Sequence, residues 1–438
     1  MFDDGAKADI RLPSAFGRAL RNVGWLLTGK GVGAVLSLFY LALATRSLGP
    51  EKFGEFTLIL SVGQAVAAVV GFQTWQVVIR FGMPHLKEGR VDALGRLVRF
   101  CAVLDFVTAS IGCLLAWASI WVMGIRLGWS AEVEHEALLF CLVLLLSVRT
   151  TAVGVLRLHD RYRTGAIADA VTPLARFGGA LVVVLGGASV RGFLFAWAVA
   201  EFATAIAYWS SAHHVAPGLL GRWGAADHAP RENPGLWHFA FATNVDATLN
   251  VASKQCVVVL VGFATGPAIA GGYRLAYQLS QALLRVSEMF SRGIFPEFAR
   301  ASTGQTGPEL RLLFRQSSRL ALVVGAAICI IVPLAGQPML HLIAGETYVG
   351  AYPVLLLLGL ASGLEIMAAG FEPVLLGIGR AGLVLRIRGL TVLVLFVGVA
   401  LLMPGFAASG AAAATVLSAA VALVLMIRTA LVMVRRMN

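Results

Sequence analysis

Charge is what this sequence has least of. Only 13% of its 438 residues are charged, against roughly 25% in soluble globular domains. It also lacks any long polar stretch. The longest, from about Ala212 to Leu236, has room for an interfacial turn but not for a domain, which excludes a catalytic fold outside a membrane. No His, Cys, Asp or Glu spacing matches a metal motif, and the only histidine pair is His213–His214, read as solvated. No glycine-rich phosphate loop and no ATPase motif is present, so any work must draw on a gradient, on the substrate or on another protein. The five cysteines each lie inside an apolar segment, without disulfide or metal spacing; they read as small apolar residues. The opening "MFDDGAKADIRLPSAFGRALRN" has no apolar core of signal-peptide type and reads as a cytoplasmic lead-in, residues 1–21.

Hydrophobic residues, by contrast, make up 58% of the chain. A bilayer core of about 30 Å needs about 20 apolar residues per helix. Runs of that kind fall at 22–45, 55–79, 97–124, 137–156, 165–187, 192–211, 237–262, 268–291, 317–335, 351–377, 383–403 and 410–433. The pattern predicts an all-α integral membrane protein with twelve transmembrane helices. Placing both termini in the cytoplasm puts 25 of the 35 Lys and Arg on cytoplasmic segments, with only Arg46, Lys52, Arg126 and Arg191 outside. That split follows the positive-inside rule. The net charge of +12 is therefore topogenic. It calls for no nucleic acid, and it favours anionic lipid headgroups at the cytoplasmic face.

The chain also repeats itself. "SLGPEKFGEF" (Ser47–Phe56) and "ATGPAIAGGY" (Ala264–Tyr273) align at an offset of 217. Gly49 meets Gly266, Pro50 meets Pro267, Gly54 meets Gly271 and Phe56 meets Tyr273; Leu58, Gln64 and Ala65 meet Leu275, Gln281 and Ala282. Both copies join the first two spans of a half. The spacing predicts two six-span lobes, 22–211 and 237–438, joined by a cytoplasmic linker at 212–236. Six is even, so the pseudo-two-fold axis runs along the membrane normal.

Ionisable residues inside spans are costly and should face a cavity or one another. The basic ones are Lys30, Arg149, Arg176, Lys254, Arg274 and Arg285; the acids are Asp105, Asp169, Glu201, Asp246, Glu288, Glu365 and Glu372. Asp246, Asn250 and Lys254 share one face of span seven, and Arg274, Gln278, Gln281, Arg285 and Glu288 form a stripe on span eight. Two readings stand. One is a wet cavity whose basic groups take an anionic headgroup. The other is internal pairing of Asp246 with Lys254, Asp169 with Arg176 and Arg285 with Glu288. Lys30, in "GKGVG", has no acid in its own span, and Arg149 is near enough to a span end to snorkel.

"LATRSLGPEKFGEFTLILSV" resembles the start of bacterial polysaccharide flippases, the Wzx-like branch of the multidrug/oligosaccharidyl-lipid/polysaccharide (MOP) exporter superfamily. "GPAIAGGYRLAYQL" and "RGIFPEFAR" resemble its counterparts at span eight, and the likeness runs nearly the whole chain in span order. The resemblance implies a V-shaped, MATE-like transporter, without a cofactor, in a bacterial inner membrane. It implies movement of a polyprenyl-diphosphate-linked oligosaccharide between leaflets for O-antigen, capsule or exopolysaccharide assembly. A polysaccharide polymerase and a chain-length regulator are the protein partners such a role suggests. On that pattern Lys30, Arg149, Arg176, Lys254 and Arg274 are candidates for substrate binding. Asp246 and Glu365 are candidates for coupling to H+ or Na+. The chain departs from ion-coupled relatives in spans eleven and twelve, which offer little beyond Thr391, Ser409, Thr415 and Ser418. A cation-coupled drug antiporter of the same superfamily is the alternative, though the basic cavity disfavours it. A membrane polymerase or glycosyltransferase needs a large outer loop that is not visible.

Overall fold

A computed structural model describes residues 15–219, 228–282, 307–371 and 381–436. Within them the side chains of 15–32, 246, 252, 307–317, 369, 381 and 430–436 lie outside the description. Every described element is helical, with no strand among the described residues. In chain order these are α1 (Ala15–Val70), α2 (Thr74–Lys87), α3 (Val91–Leu127), α4 (Ala131–Leu146), α5 (Thr150–Leu158), α6 (Tyr162–Leu185), α7 (Val190–Val215), the short α8 (Ala229–Glu232) and α9 (Leu236–Thr265). A helix at 267–282 follows, here α10. Then come α11 (Gly307–Ala344), α12 (Tyr352–Ala369) and α13 (Ala381–Arg436).

Eight stretches are long and apolar enough to cross a bilayer, and α9 makes nine when its 41° bend is taken as one broken span. Two of the eight, Gly33–Lys87 and Gly382–Thr429, run to 55 and 48 residues, far beyond the 20 or so a bilayer requires. Each turns back at one non-helical residue: Gly49 (φ 73°, ψ 174°) and Ala407 (φ 49°, ψ −130°). Each therefore carries two spans. The described residues thus hold eleven spans, and α10 begins where the eighth of the expected twelve lies.

The two copies of the repeat share one backbone solution. Gly266 (φ 90°, ψ 170°) takes the same positive-φ conformation as Gly49, which only glycine adopts freely. Proline follows each glycine and opens the next helix, where its missing N–H costs nothing. The copies also touch. A Cβ on Gly54 would collide with the Pro267 carbonyl, and one on Gly271 would lie 3.0 Å from the Gly54 Cα. The matched glycines of the two halves thus pack against each other, backbone on backbone.

The core follows from that contact. At the Gly49 end a single apolar cluster spans both halves, from Leu41, Phe53 and Phe56 through Leu275, Leu279, Val332 and Ala411. At the opposite end the core splits in two. One cluster, around Val77, Leu97 and Leu158, belongs to the first half. The other, Ala368, Phe371, Val384, Ile387 and Met426, belongs to the second. Among the described residues the two halves share one core at one end and have separate cores at the other, as in the expected V. Of the second half, the start of span seven alone joins the first half's cluster.

Span seven straddles this division. Its start packs on the first half: Leu236 and Ala240 join that cluster, Phe241 meets Phe72 edge-on at 5.4 Å, and Arg80 lies 4.3 Å over Phe239. Its far end, Val257, Val258 and Val261, joins the shared core. The segment ahead of it is held to the same lobe. His85 Nε2 lies 3.0 Å from Asn233 Oδ1, and Arg96 makes a two-pronged pair with Glu232 at 2.6 and 3.1 Å. That hydrogen-bonded pair lies outside the spans and holds the Glu232 carboxyl below its ordinary range.

Spans two and four are broken, between α1 and α2 and between α4 and α5. One buried carboxylate, Asp105 of α3, stitches both breaks. It accepts from Thr74 Oγ1 (2.9 Å), Thr151 Oγ1 (2.7 Å) and the Thr151 amide (3.1 Å). The donors compensate a charge that hydrocarbon would not tolerate.

Candidate functional site

The break before α5 frees Arg149 from the helix, at its N-cap, with φ −137°. Its side chain turns to α7, where Nη1 donates to Glu201 Oε2 at 2.7 Å. Arg176 of α6 donates from Nη2 to the other oxygen of Glu201 at 2.6 Å. Two guanidiniums share one buried carboxylate, leaving the cluster one positive charge in surplus. Arg176 also lies 5.4 Å over the Trp197 ring, and its Nε has no hydrogen-bond partner among the described residues. Asp169 is not its partner: that carboxylate accepts from Tyr208 at 2.6 Å.

In the other lobe Lys254 of α9 pairs with Glu365 of α12 at 2.8 Å; the expected partner Asp246 has its side chain outside the description. The pair lines a cavity of about 410 Å³. Its walls come from α9, α10, α12 and α13, and its polar groups include Asn250, Tyr277, Gln281 and Arg388. Glu365, expected to serve a coupling ion, thus already carries a cation.

Arg274 lies between the lobes. It is 5% exposed and donates from Nη1 to Gln255 of α9 (2.6 Å) and from Nη2 to Gln64 of α1 (2.9 Å). Its Nε has no hydrogen-bond partner among the described residues. Among the described residues no carboxylate pairs with it. Arg176 is close enough to repel it, and Tyr40 of α1 stands beside both guanidiniums.

Of the expected site residues, the structure brings Arg149 and Arg176 together on Glu201, places Arg274 near Arg176, and sets Lys254 with Glu365 in a separate cavity. Lys30 and Asp246 lie on α1 and α9, but their side chains are outside the description. Arg285, Glu288 and Glu372 are outside the described residues. Glu201 stood among the intramembrane acids without a role. Gln64 was visible only as a repeat match, and nothing in the sequence singled out Gln255 or Arg388. Among the described residues no group of three or more His, Cys, Asp or Glu is placed to hold a metal.

A family model described as "Polysaccharide biosynthesis protein" matches residues 19–302. The chain belongs to that family. A relative, Inner membrane protein YghQ of Escherichia coli (strain K12), is 27% identical over 357 residues, covering 78% of this chain and 96% of its own. Solved structures share the fold of this family member. An inward-facing multidrug resistance MATE family transporter of the MOP superfamily superposes with a TM-score of 0.67 at 14% identity, over 92% of this chain and 95% of its own. The lipid II flippase MurJ, in an inward closed conformation, gives 0.62 at 10% identity, over 92% and 87%. The protein is a multi-pass membrane protein of this polysaccharide biosynthesis family, and its fold is the one seen in those MOP-superfamily structures.

Proposed function

We propose that this protein carries a polyprenyl-diphosphate-linked oligosaccharide from the cytoplasmic to the periplasmic leaflet of a bacterial inner membrane, for surface polysaccharide assembly. The lobes are 22–211 and 237–438, joined at 212–236, with residues 1–21 and both termini cytoplasmic. With that orientation the V is closed toward the periplasm and open toward the cytoplasm, the state that admits substrate from the inner leaflet. Rocking the lobes about their joined end exposes the same groups to the other side.

One observation carries the reading: among the described residues, Arg149, Arg176 and Arg274 outnumber the carboxylates that pair with them. Arg149 and Arg176 share a single carboxylate, and Arg274 has only amides. A diphosphate supplies the missing negative charge and accepts from a guanidinium in two-pronged fashion. Arg149 and Arg176 take the diphosphate from the side of the first lobe, and Arg274 from between the lobes. Lys254, with Lys30 on α1, serves the same headgroup or an acidic sugar. Ion coupling at Glu365 requires Lys254 to release it first, and Asp246 is the other carboxylate suited to H+ or Na+.

Reconstituted protein given labelled lipid-linked oligosaccharide tests the reading. Movement of label to the opposite leaflet with unchanged glycan length is expected, and lost on Arg176→Ala with the protein still in the membrane. A changed glycan length instead identifies a polymerase or glycosyltransferase. No movement, with drug efflux on expression, identifies the antiporter. The MATE-like fold favours that second reading; the surplus of positive charge does not.

A further inference from the structure

We propose that Gln64, Arg274 and Gln255 form a latch between the lobes, which an anionic group arriving at Arg274 releases. The inference rests on the substrate reading above and adds to it the step that links binding to opening.

The helices set the geometry. The second arm of α1 and helix α10 leave their Gly-Pro turns in the same direction and touch at Gly54, Pro267 and Gly271. Gln64 lies ten residues beyond Gly54, and Arg274 seven beyond Pro267. At 1.5 Å per residue they reach the same depth to within about one turn. The hydrogen bond from Arg274 Nη2 to Gln64 Oε1, 2.9 Å, therefore joins the two lobes about two to three helical turns beyond the Gly54–Pro267 backbone contact. Gln255 anchors the same guanidinium within its own lobe at 2.6 Å.

Chemistry decides why this bond should be the one to yield. A guanidinium has five N–H donors. Here two are committed to neutral amide oxygens, and Nε is buried without a hydrogen-bond partner among the described residues. At Arg149, Arg176 and Lys254 an incoming anion must instead displace a carboxylate, Glu201 or Glu365. At Arg274 it displaces only neutral amide oxygens, and a phosphate or carboxylate offers the guanidinium a two-pronged ion pair that a single amide oxygen does not. Repulsion from Arg176 adds to the demand for negative charge. A phosphate or carboxylate that takes Nη2 and Nε removes Gln64 from the guanidinium, and with it a polar bond between the lobes. Gln64 is thus a positioning residue: it holds Arg274 in place and the lobes shut until the anion comes.

The test uses nitroxide labels at Lys52 and Ala268, both exposed and on opposite copies of the Gly-Pro turn. Pulsed electron resonance in nanodiscs reads the spacing with polyprenyl diphosphate and with neutral polyprenol. Polyprenyl diphosphate should lengthen it in the parent chain, and polyprenol should not. Gln64→Glu, whose carboxylate pairs permanently with Arg274, should abolish the lengthening. Gln64→Met, similar in volume, should populate the long spacing without ligand. Equal lengthening in Gln64→Glu and the parent overturns the latch while leaving the substrate reading intact. So does a Gln64→Met chain that stays closed. A Gln64→Met chain that opens beside a parent blind to polyprenyl diphosphate keeps the latch and overturns the substrate reading. Lengthening by polyprenol alone overturns the role of the anion.

Discussion

The two lobes handle their buried charges differently. In the first, one carboxylate is shared by two guanidiniums, and the Glu201 side chain is only 7% exposed. In the second, one ammonium meets one carboxylate, Lys254 on Glu365, each about a third exposed in a cavity of about 410 Å³. The first arrangement is tight, two cations on one acid; the second is a one-to-one pair in an open cavity that Arg388 also lines. A tight cluster is suited to hold an anion in one position. An open balanced pair is suited to exchange partners, since water can solvate either member once they part.

Removing the acid from each lobe tests that contrast most severely. Glu201→Gln leaves Arg149 and Arg176 facing each other without a counter-ion. Breaking a buried charge group in this way costs about 3–5 kcal/mol, so the thermal unfolding midpoint in detergent and the folded yield should fall sharply. Glu365→Gln strands an ammonium that the cavity can hydrate, and should cost about 1 kcal/mol, near the upper end for exposed pairs. Equal losses would mean that the second lobe is as dry as the first. On transport the order should reverse. Arg176→Ala leaves Glu201 satisfied by Arg149, so the fold survives while flipping falls at least about tenfold, which corresponds to about 1.4 kcal/mol of lost binding. An Arg176→Ala chain that flips normally in the leaflet assay would remove the first lobe from the site.

These partnerships show where sequence reasoning stops. Spans, the Gly-Pro repeat and the set of intramembrane charges are legible because they depend on local period and composition. Pairing is not. Asp169 and Arg176 share a helix face but stand seven residues apart, about 10 Å along the axis, beyond the reach of ordinary i, i+4 pairs. The Asp246 side chain lies outside the description; Arg176 and Lys254 find their acids, Glu201 and Glu365, on other helices, 25 and 111 residues away. Only the packing of helices within each lobe brings them near. Gln64 was legible as a repeat match, yet its role depends on which lobe Arg274 reaches into.

Two smaller effects sharpen the contrast between the joined and the split end of the V. At the joined end, Arg46 donates to the carbonyls of Leu342 (2.6 Å) and Ile343 (3.2 Å) at the close of α11, where a cation favours the helix dipole. Arg46→Ala should weaken this contact between lobes by up to about 1 kcal/mol. The Lys52–Ala268 spacing should then show a larger open fraction, and an unchanged distribution would place the closure in the glycine contact alone.

At the split end, Arg96 and Glu232 fasten the connecting segment to the first lobe. Arg96 keeps the Glu232 carboxyl below its ordinary range. A carboxylate depressed in the folded state adds stability above its unfolded pKa of about 4.3 and loses it as pH falls through the lower folded value. The pair is partly solvated, with side chains 27% and 31% exposed, so its worth is about 0.2–1 kcal/mol and falls with salt. Protease cleavage at 228–236 should therefore rise modestly between pH 5 and pH 3. In Glu232→Gln it should sit at the raised level throughout. The same acid step should leave the Lys52–Ala268 spacing unchanged, because this pair fastens the connecting segment to one lobe and bridges nothing between the two. A spacing that follows the Arg96–Glu232 titration would instead make the linker part of the closure, and the two ends of the V would no longer be independent.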